Sequence, residues 1–299
     1  MLKRTCFFLS TLAVIYISSC QKEFTDPDGS LQGPATSKDS TWLSKVFYID
    51  TTAAPDDTTR TILFIYDNLH RVITQTISTH ELSYSEIRYS YNSNDTMPFK
   101  SVLYSYDPDP FFNDTIYIFH YYDLSGKKLR DSTIYYASSS NTLTDVGNYS
   151  WLPGKITGIA YQTSALYPGL YYIYTDTALL DANGNIILLK EYRHDDASGQ
   201  NDLIFTISSS LDNRPNPFAK LSAFAGRKIF PAGDDPLEFI VSYPQVNNFT
   251  SNIIDHYSNG VIDFSETLSL QYVYYSNGSV KEMRPTGFPG KVSFIYTAF

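Results

Sequence analysis

Five histidines, His70, His80, His120, His194 and His256, are the side chains here best suited to acid–base or metal chemistry. They are scattered without the close pairing a metal site needs, so each reads as a surface or sheet residue. The two cysteines, Cys6 and Cys20, lie at the very start of the chain, which leaves the body without a thiolate ligand or a disulfide. Asp107-Pro108-Asp109-Pro110, with Asn113 and Asp114, gathers hard oxygen ligands of the kind Ca2+ takes. Its prolines and the missing EF-hand glycine favour a plain turn. His194-Asp195-Asp196 with Asn201 and Asp202 reads as a solvated hairpin loop. No G-x-S-x-G elbow or phosphate-cradling glycine loop stands out. Seven glutamates, Glu23 among them, leave little material for the paired carboxylates of glycoside hydrolysis. These residues predict no catalytic site, no metal and no cofactor. Exposed aromatics can stack on sugar rings, and Trp151 with Tyr149, Tyr171 and Tyr172 are the ligand-binding candidates, against the plainer reading that they pack within a sheet.

The elements that must carry these residues are strands. Tyr at 26 and Phe at 19 are plentiful, and such residues favour pleated surfaces. Phe119–Tyr136 reads as two aromatic strands joined by the turn Asp123-Leu124-Ser125-Gly126, where Asp123 caps and Gly126 supplies a positive φ. The same spacing returns at Asp181-Ala182-Asn183-Gly184, and in degraded form at Asp67-Asn68-Leu69-His70, where His70 holds the glycine position. Tyr257-Ser258-Asn259-Gly260 and Tyr275-Ser276-Asn277-Gly278 repeat one tetrapeptide. Turns at Asp67, Asn92, Asp123, Pro153, Asp181 and Asp212 are spaced by 25 to 31 residues, which suggests one supersecondary unit used repeatedly. Eighteen strand candidates run from Val46–Asp50 to Lys291–Tyr296, including Phe239–Tyr243, Val261–Phe264 and Ser269–Tyr275. The expected fold is all-β, an antiparallel meander of hairpins forming a large curled sheet. One short helix is expected over 216–226, with Asn216 as N-cap, Pro217 at N1 and Gly226 as the stop. An outer-membrane barrel is the competing architecture. The alternate positions back from Phe299, namely Thr297, Ile295, Ser293 and Lys291, fail its apolar pattern.

Tyr122-Asp123-x-x-Gly126-Lys127-x-Leu129 resembles the tyrosine–aspartate (YD, RHS-type) repeat. Asp212–Phe218 and the later Y-S-N-G turns resemble uncharacterised Bacteroidetes-type lipoproteins related to those repeats. The resemblance covers the chain from Tyr66 onward. It implies an all-β extracytoplasmic scaffold and brings no catalytic residues.

The N-terminus has its own signature. Lys3 and Arg4 precede the apolar stretch Phe7–Ile17, too short to span a bilayer and typical of a signal peptide. Ile17-Ser18-Ser19-Cys20 resembles the lipobox of bacterial lipoproteins, which implies cleavage before Cys20 and a lipid on it. The expected layout is a signal peptide over 1–19, a lipid-anchored flexible tether over 20–44 and a single β-rich domain over 45–299. Losing Lys3 and Arg4 leaves 20 basic against 31 acidic residues, net −11, a balance that argues against nucleic acid as a partner. Asp-Ser/Thr-x triplets resemble the O-glycosylation sequon of Bacteroidetes-type exported proteins, which makes Thr51, Thr58, Thr96, Thr115, Ser132 and Thr177 glycosylation candidates. Asp-Thr also begins turns and strands on its own account. The expectation is a non-catalytic envelope lipoprotein at the bacterial outer membrane, a binding or scaffold module. Its partners are the membrane through its lipid and a glycan or envelope protein. A surface hydrolase acting on polysaccharide or peptide is the alternative.

Overall fold

The computed structural model describes residues 41–52, 57–79, 84–106, 114–138, 141–164, 171–195, 199–219, 221, 245–287 and 289–298. The chain divides into two compact units, Met1–Thr41 and Trp42–Phe299, and the described fold is that of the second. Its first eight strands are β1 (Thr41–Asp50), β2 (Asp57–Tyr66), β3 (Val72–Thr79), β4 (Tyr84–Ser90), β5 (Lys100–Tyr106), β6 (Asp114–Tyr122), β7 (Lys128–Ser138) and β8 (Asn141–Leu152). The other eight are β9 (Lys155–Ser164), β10 (Tyr171–Leu180), β11 (Ile186–Asp195), β12 (Gln200–Pro215), β13 (Asn247–Ser258), β14 (Val261–Tyr274), β15 (Val280–Pro285) and β16 (Lys291–Ala298).

Each strand pairs with its neighbours in sequence, and β1 joins β16, so the expected curled sheet is corrected to a closed barrel. Closure removes both unpaired edges, which an open sheet would leave as templates for aggregation. The strand at Phe239–Tyr243 lies outside the described residues, and Val261–Phe264 and Ser269–Tyr275 are one strand, β14. β8 begins seven residues before the expected Asn148, because Asn141–Gly147 pairs with β7 and, from Leu143 on, with β9 as well. The helix over 216–226 is also corrected. Asn216 Oδ1 accepts the Phe218 N–H, and the chain makes a short turn through Ala219. That is the bond an N-cap makes to its second helical residue, but here it closes an Asx turn, with no helix following among the described residues. Residues 222–226 lie outside the described residues.

In an up-and-down barrel every second turn falls on the same rim, and the turns after β2, β6, β10 and β14 all do. They share one geometry. Asp67 N–H donates to Arg71 O and His70 N–H to Asp67 O; Asp123 with Lys127 and Gly126, Asp181 with Asn185 and Gly184, and Tyr275 with Ser279 and Gly278 repeat both bonds. The Oδ1 of Asp67, Asp123 and Asp181 also takes the N–H groups two and four residues on. Gly126 and Gly184 sit at φ +81° and +87°, and His70 at +58°, so the histidine does occupy the glycine slot. Its ring stacks on Trp42 at 5.3 Å. The recurring spacing of about thirty residues is therefore one hairpin, two strands and two turns.

The wall has a clear polarity. Ile62 and Phe64 point inward, and so do their register partners Ile77 and Gln75; Val46, Ala178, Leu189, Ile207, Leu268 and Phe294 join them in one buried cluster. A round barrel of sixteen strands would enclose a wide lumen. Here the inward side chains are close-packed, and Phe218 and Leu221, from the long connection between β12 and β13, lie in the same cluster. Phe218 meets Phe294 edge to face at 5.7 Å. The outward positions are different: Lys45, Glu86, Arg88, Lys190, Asp255, Glu282 and Arg284 alternate with hydroxyl residues such as Thr76, Ser208 and Ser269 and with single apolar residues such as Ile65 and Ile295.

Candidate functional site

The most concentrated polar chemistry sits on the inner face of β5 to β8. Alternation carries it there: Tyr89 is inward, its register partner Ser101 follows, and His120 and Asp131 oppose one another across β6 and β7. The Ser101 hydroxyl and His120 Nε2 are 3.0 Å apart. Tyr149 donates its hydroxyl to Asp131 Oδ2 at 2.7 Å, and Lys128 Nζ stands 3.6 Å from the same oxygen. Gly147 opposes Asp131, and a Cβ there would meet Asp131 Oδ1 and the Tyr149 hydroxyl at 2.8 Å, so the glycine makes room for this cluster. Burial, with the Lys128 charge in support, drives the His120 imidazole down to about 2. It is therefore neutral at physiological pH. The phenol of Tyr122 is pushed up by burial and by the Asp131 and Tyr91 charges. On β10 and β11, Asp176 faces Glu191, and burial plus that second carboxyl raise Asp176 well above the ordinary carboxylate range.

A serine beside a histidine invites a nucleophile-and-base reading. Both side chains are sealed in the wall, and His120 Nδ1 has no hydrogen-bond partner among the described residues. A catalytic base needs an orienting group on that nitrogen and access for substrate. The arrangement instead holds a barrel wall together.

The sequence-based candidates fall as follows. Tyr149 lies in this inner cluster, and Trp151 is half-buried beside it, its Nε1–H donating to Lys128 O at 2.7 Å. Tyr171 and Tyr172 pair through their backbones with Gln162 and Tyr161; their side chains lie outside the described ones. His70 is in a turn, His194 bonds Asn201, and His256 stacks on Phe264 at 4.0 Å beside Glu266, while His80 lies outside the described residues. No three His, Cys, Asp or Glu residues among those described are grouped to hold a metal ion. Most of the acidic loop, 107–113, and Cys6 and Cys20 lie outside the described residues. Thr51, Thr58 and Thr96 are exposed. Ser132 and Thr177 face outward, because their neighbours Asp131 and Asp176 are buried inward, and Thr115 opposes the outward Tyr104. Asp50 accepts from both the N–H and hydroxyl of Thr52, which is ordinary turn chemistry. Sequence reasoning missed His120 with Asp131 and Asp176 with Glu191. Counting alternate residues from Ala178 would have turned Asp176 inward.

No family model matches the chain. A search of curated proteins finds no match either. Among solved structures, a porin-like protein from Bacteroides vulgatus aligns over 87% of this chain and 100% of its own, at 8% identity and a TM-score of 0.51. A porin-like protein from Bacteroides uniformis aligns over 85% of this chain and 98% of its own, at 14% identity and a TM-score of 0.48. What the chain shares with the first of these is the barrel fold.

Proposed function

We propose that this chain is a lipid-anchored, non-catalytic envelope protein whose barrel stands in water at the bacterial outer membrane instead of crossing it, as a binding or scaffold module. The observation that carries the reading is the polarity of the wall. A lysine or arginine facing lipid at mid-membrane costs about 2–4 kcal/mol. Lys45, Arg88, Lys190 and Arg284 face outward on four different strands, while a buried apolar cluster that includes Val46, Ile62, Phe64, Leu189 and Phe294 packs the interior. The fold shared with the Bacteroides vulgatus porin-like protein supports an envelope setting. The lipobox-like Ile17–Cys20 supports anchoring by a lipid on Cys20, and exposed Thr96 between β4 and β5, with the outward, half-buried Ser132 and Thr177, supports glycosylation.

Fractionation of cells making the full-length protein tests this. The wild type is expected in the membrane fraction, labelled by palmitate, and Cys20→Ser in the soluble fraction with its fold intact. Cys20→Ser remaining embedded in membrane would overturn the reading.

A further inference from the structure

The outer wall is not uniform. On β3 its outward residues are Thr74, Thr76 and Ser78, and on β12 to β14 they include Ser208, Ser210, Ser251 and Ser269. Across β4 to β6 they are aromatic instead: Tyr84, Tyr104, Tyr106, Tyr117, Phe119 and Tyr121. Tyr106 and Tyr121 are 44% and 50% exposed. Tyrosine's liking for strands would spread such residues around the barrel, and it does not account for their gathering on one side.

Cations are interleaved with these rings. Arg88 lies over Tyr104 at 5.0 Å, Lys100 over Tyr117 at 4.8 Å and Phe119 at 5.5 Å, and Arg130 over Tyr121 at 5.6 Å. Among the described residues the acid on this face is Glu86, already engaged by Arg88 and by the Tyr84 hydroxyl. Among the described residues neither Lys100 nor Arg130 has a carboxylate partner. Among the described outward side chains of β4 to β7, three cations (Arg88, Lys100 and Arg130) stand against one carboxylate, in a chain of formal net charge −9.

We propose that the outer wall of β4 to β6, with Arg130 of β7 at its border, binds an acidic polysaccharide, a chain of sugar rings with spaced carboxylates. This rests on the proposed binding role and names its ligand and location. Aromatic side chains offer an apolar body with a polar tip, which suits the two-natured surface of a sugar ring. The uncommitted cations supply charge-assisted hydrogen bonds to carboxylates, from Lys100 as a point charge and from Arg130 in bidentate form. Strand spacing puts the backbones of Lys100 and Arg130 roughly 12 Å apart, so the positive charge is sparse and the wall is open along its length. Single-stranded nucleic acid also stacks on aromatic rings, but its affinity is dominated by phosphate contacts and grows with the number of cations engaged, and among the described cations of this face Lys100 and Arg130 alone are not committed to a carboxylate.

The test is a titration of the full-length protein with polygalacturonate at low salt, with neutral dextran and an oligothymidylate as comparators. Polygalacturonate alone is expected to bind. Lys100→Gln with Arg130→Gln, and separately Tyr117→Ser, should weaken binding by at least about tenfold, the loss of one charge-assisted contact or more. Thr76→Gln on the hydroxyl-rich wall should leave it unchanged, and all variants should melt with the wild type. No binding of polygalacturonate, equal binding by the double variant, or tighter binding of dextran or oligothymidylate would each overturn the proposal. If these failures occur while Cys20→Ser still releases a folded barrel, the proposed address stands and this ligand falls.

Discussion

Replacing Asp131 by leucine separates a structural role for the inner cluster from an incidental one. The carboxylate is 2% exposed, faces the Lys128 ammonium at 3.6 Å and accepts from the Tyr149 hydroxyl at 2.7 Å. Breaking a buried ion pair by removing one member costs about 3–5 kcal/mol, because the other charge keeps its desolvation penalty. That is a large share of the 5–15 kcal/mol by which domains are commonly stable. Removing both charges is much milder, so Lys128→Met with Asp131→Leu should recover to within about 2 kcal/mol of the wild type. Urea unfolding followed by tryptophan fluorescence reads this well, since Trp151 bonds the Lys128 carbonyl. A single variant with an unchanged midpoint, or a double variant as weak as the single, would refute the reasoning.

Three further outcomes follow from the same packing. Burial keeps His120 neutral in the fold, so below the ordinary imidazole value of 6.5 the unfolded chain takes a proton that the folded chain refuses. Stability from this group is full above pH 6.5 and is lost toward about 2, by up to about 1.4 kcal/mol per pH unit, and His120→Asn should flatten that slope in melts across pH 4 to 7. Phe218→Ala, which empties the place against Phe294, should cost about 3–5 kcal/mol in urea unfolding if the long connection fills the lumen, and almost nothing if it does not. Gly126→Ala forces a side chain into φ +81° and should cost about 1–2 kcal/mol, whereas His70→Ala at the equivalent slot should lose less, having no such change of strain.

The turns were the most legible part of the chain. Asp123 and Asp181 place one oxygen where two backbone N–H groups need it, a local device that four or five residues reveal. Closure was not legible, because the bond between β1 and β16 joins the two ends of the domain and leaves no local trace. The C-terminal strand shows how close the two readings ran. Ser293, Ile295 and Thr297 do face outward and do fail the lipid-facing pattern, while Val292, Phe294 and Tyr296 carry the apolar alternation in the opposite phase. A barrel can thus form while the membrane signature fails, its apolar side turned inward. The short helix was misread because Asn216 and Pro217 begin a turn as readily as a helix. The inner polar cluster escaped notice because its members are spread over residues 101 to 149 and meet only through strand register. The aromatic wall was hidden for the same reason: its rings are ordinary strand residues until pairing brings them together.

The orientation of the wall is tested most directly by single cysteines at outward Thr76 and Gln271, in protein whose Cys6 and Cys20 are replaced by serine. The account predicts a folded protein in buffer without detergent, with both positions reacting fully with a water-soluble maleimide whether or not lipid vesicles are added. Protein that aggregates in buffer, folds only with vesicles and is shielded there at both positions would contradict it.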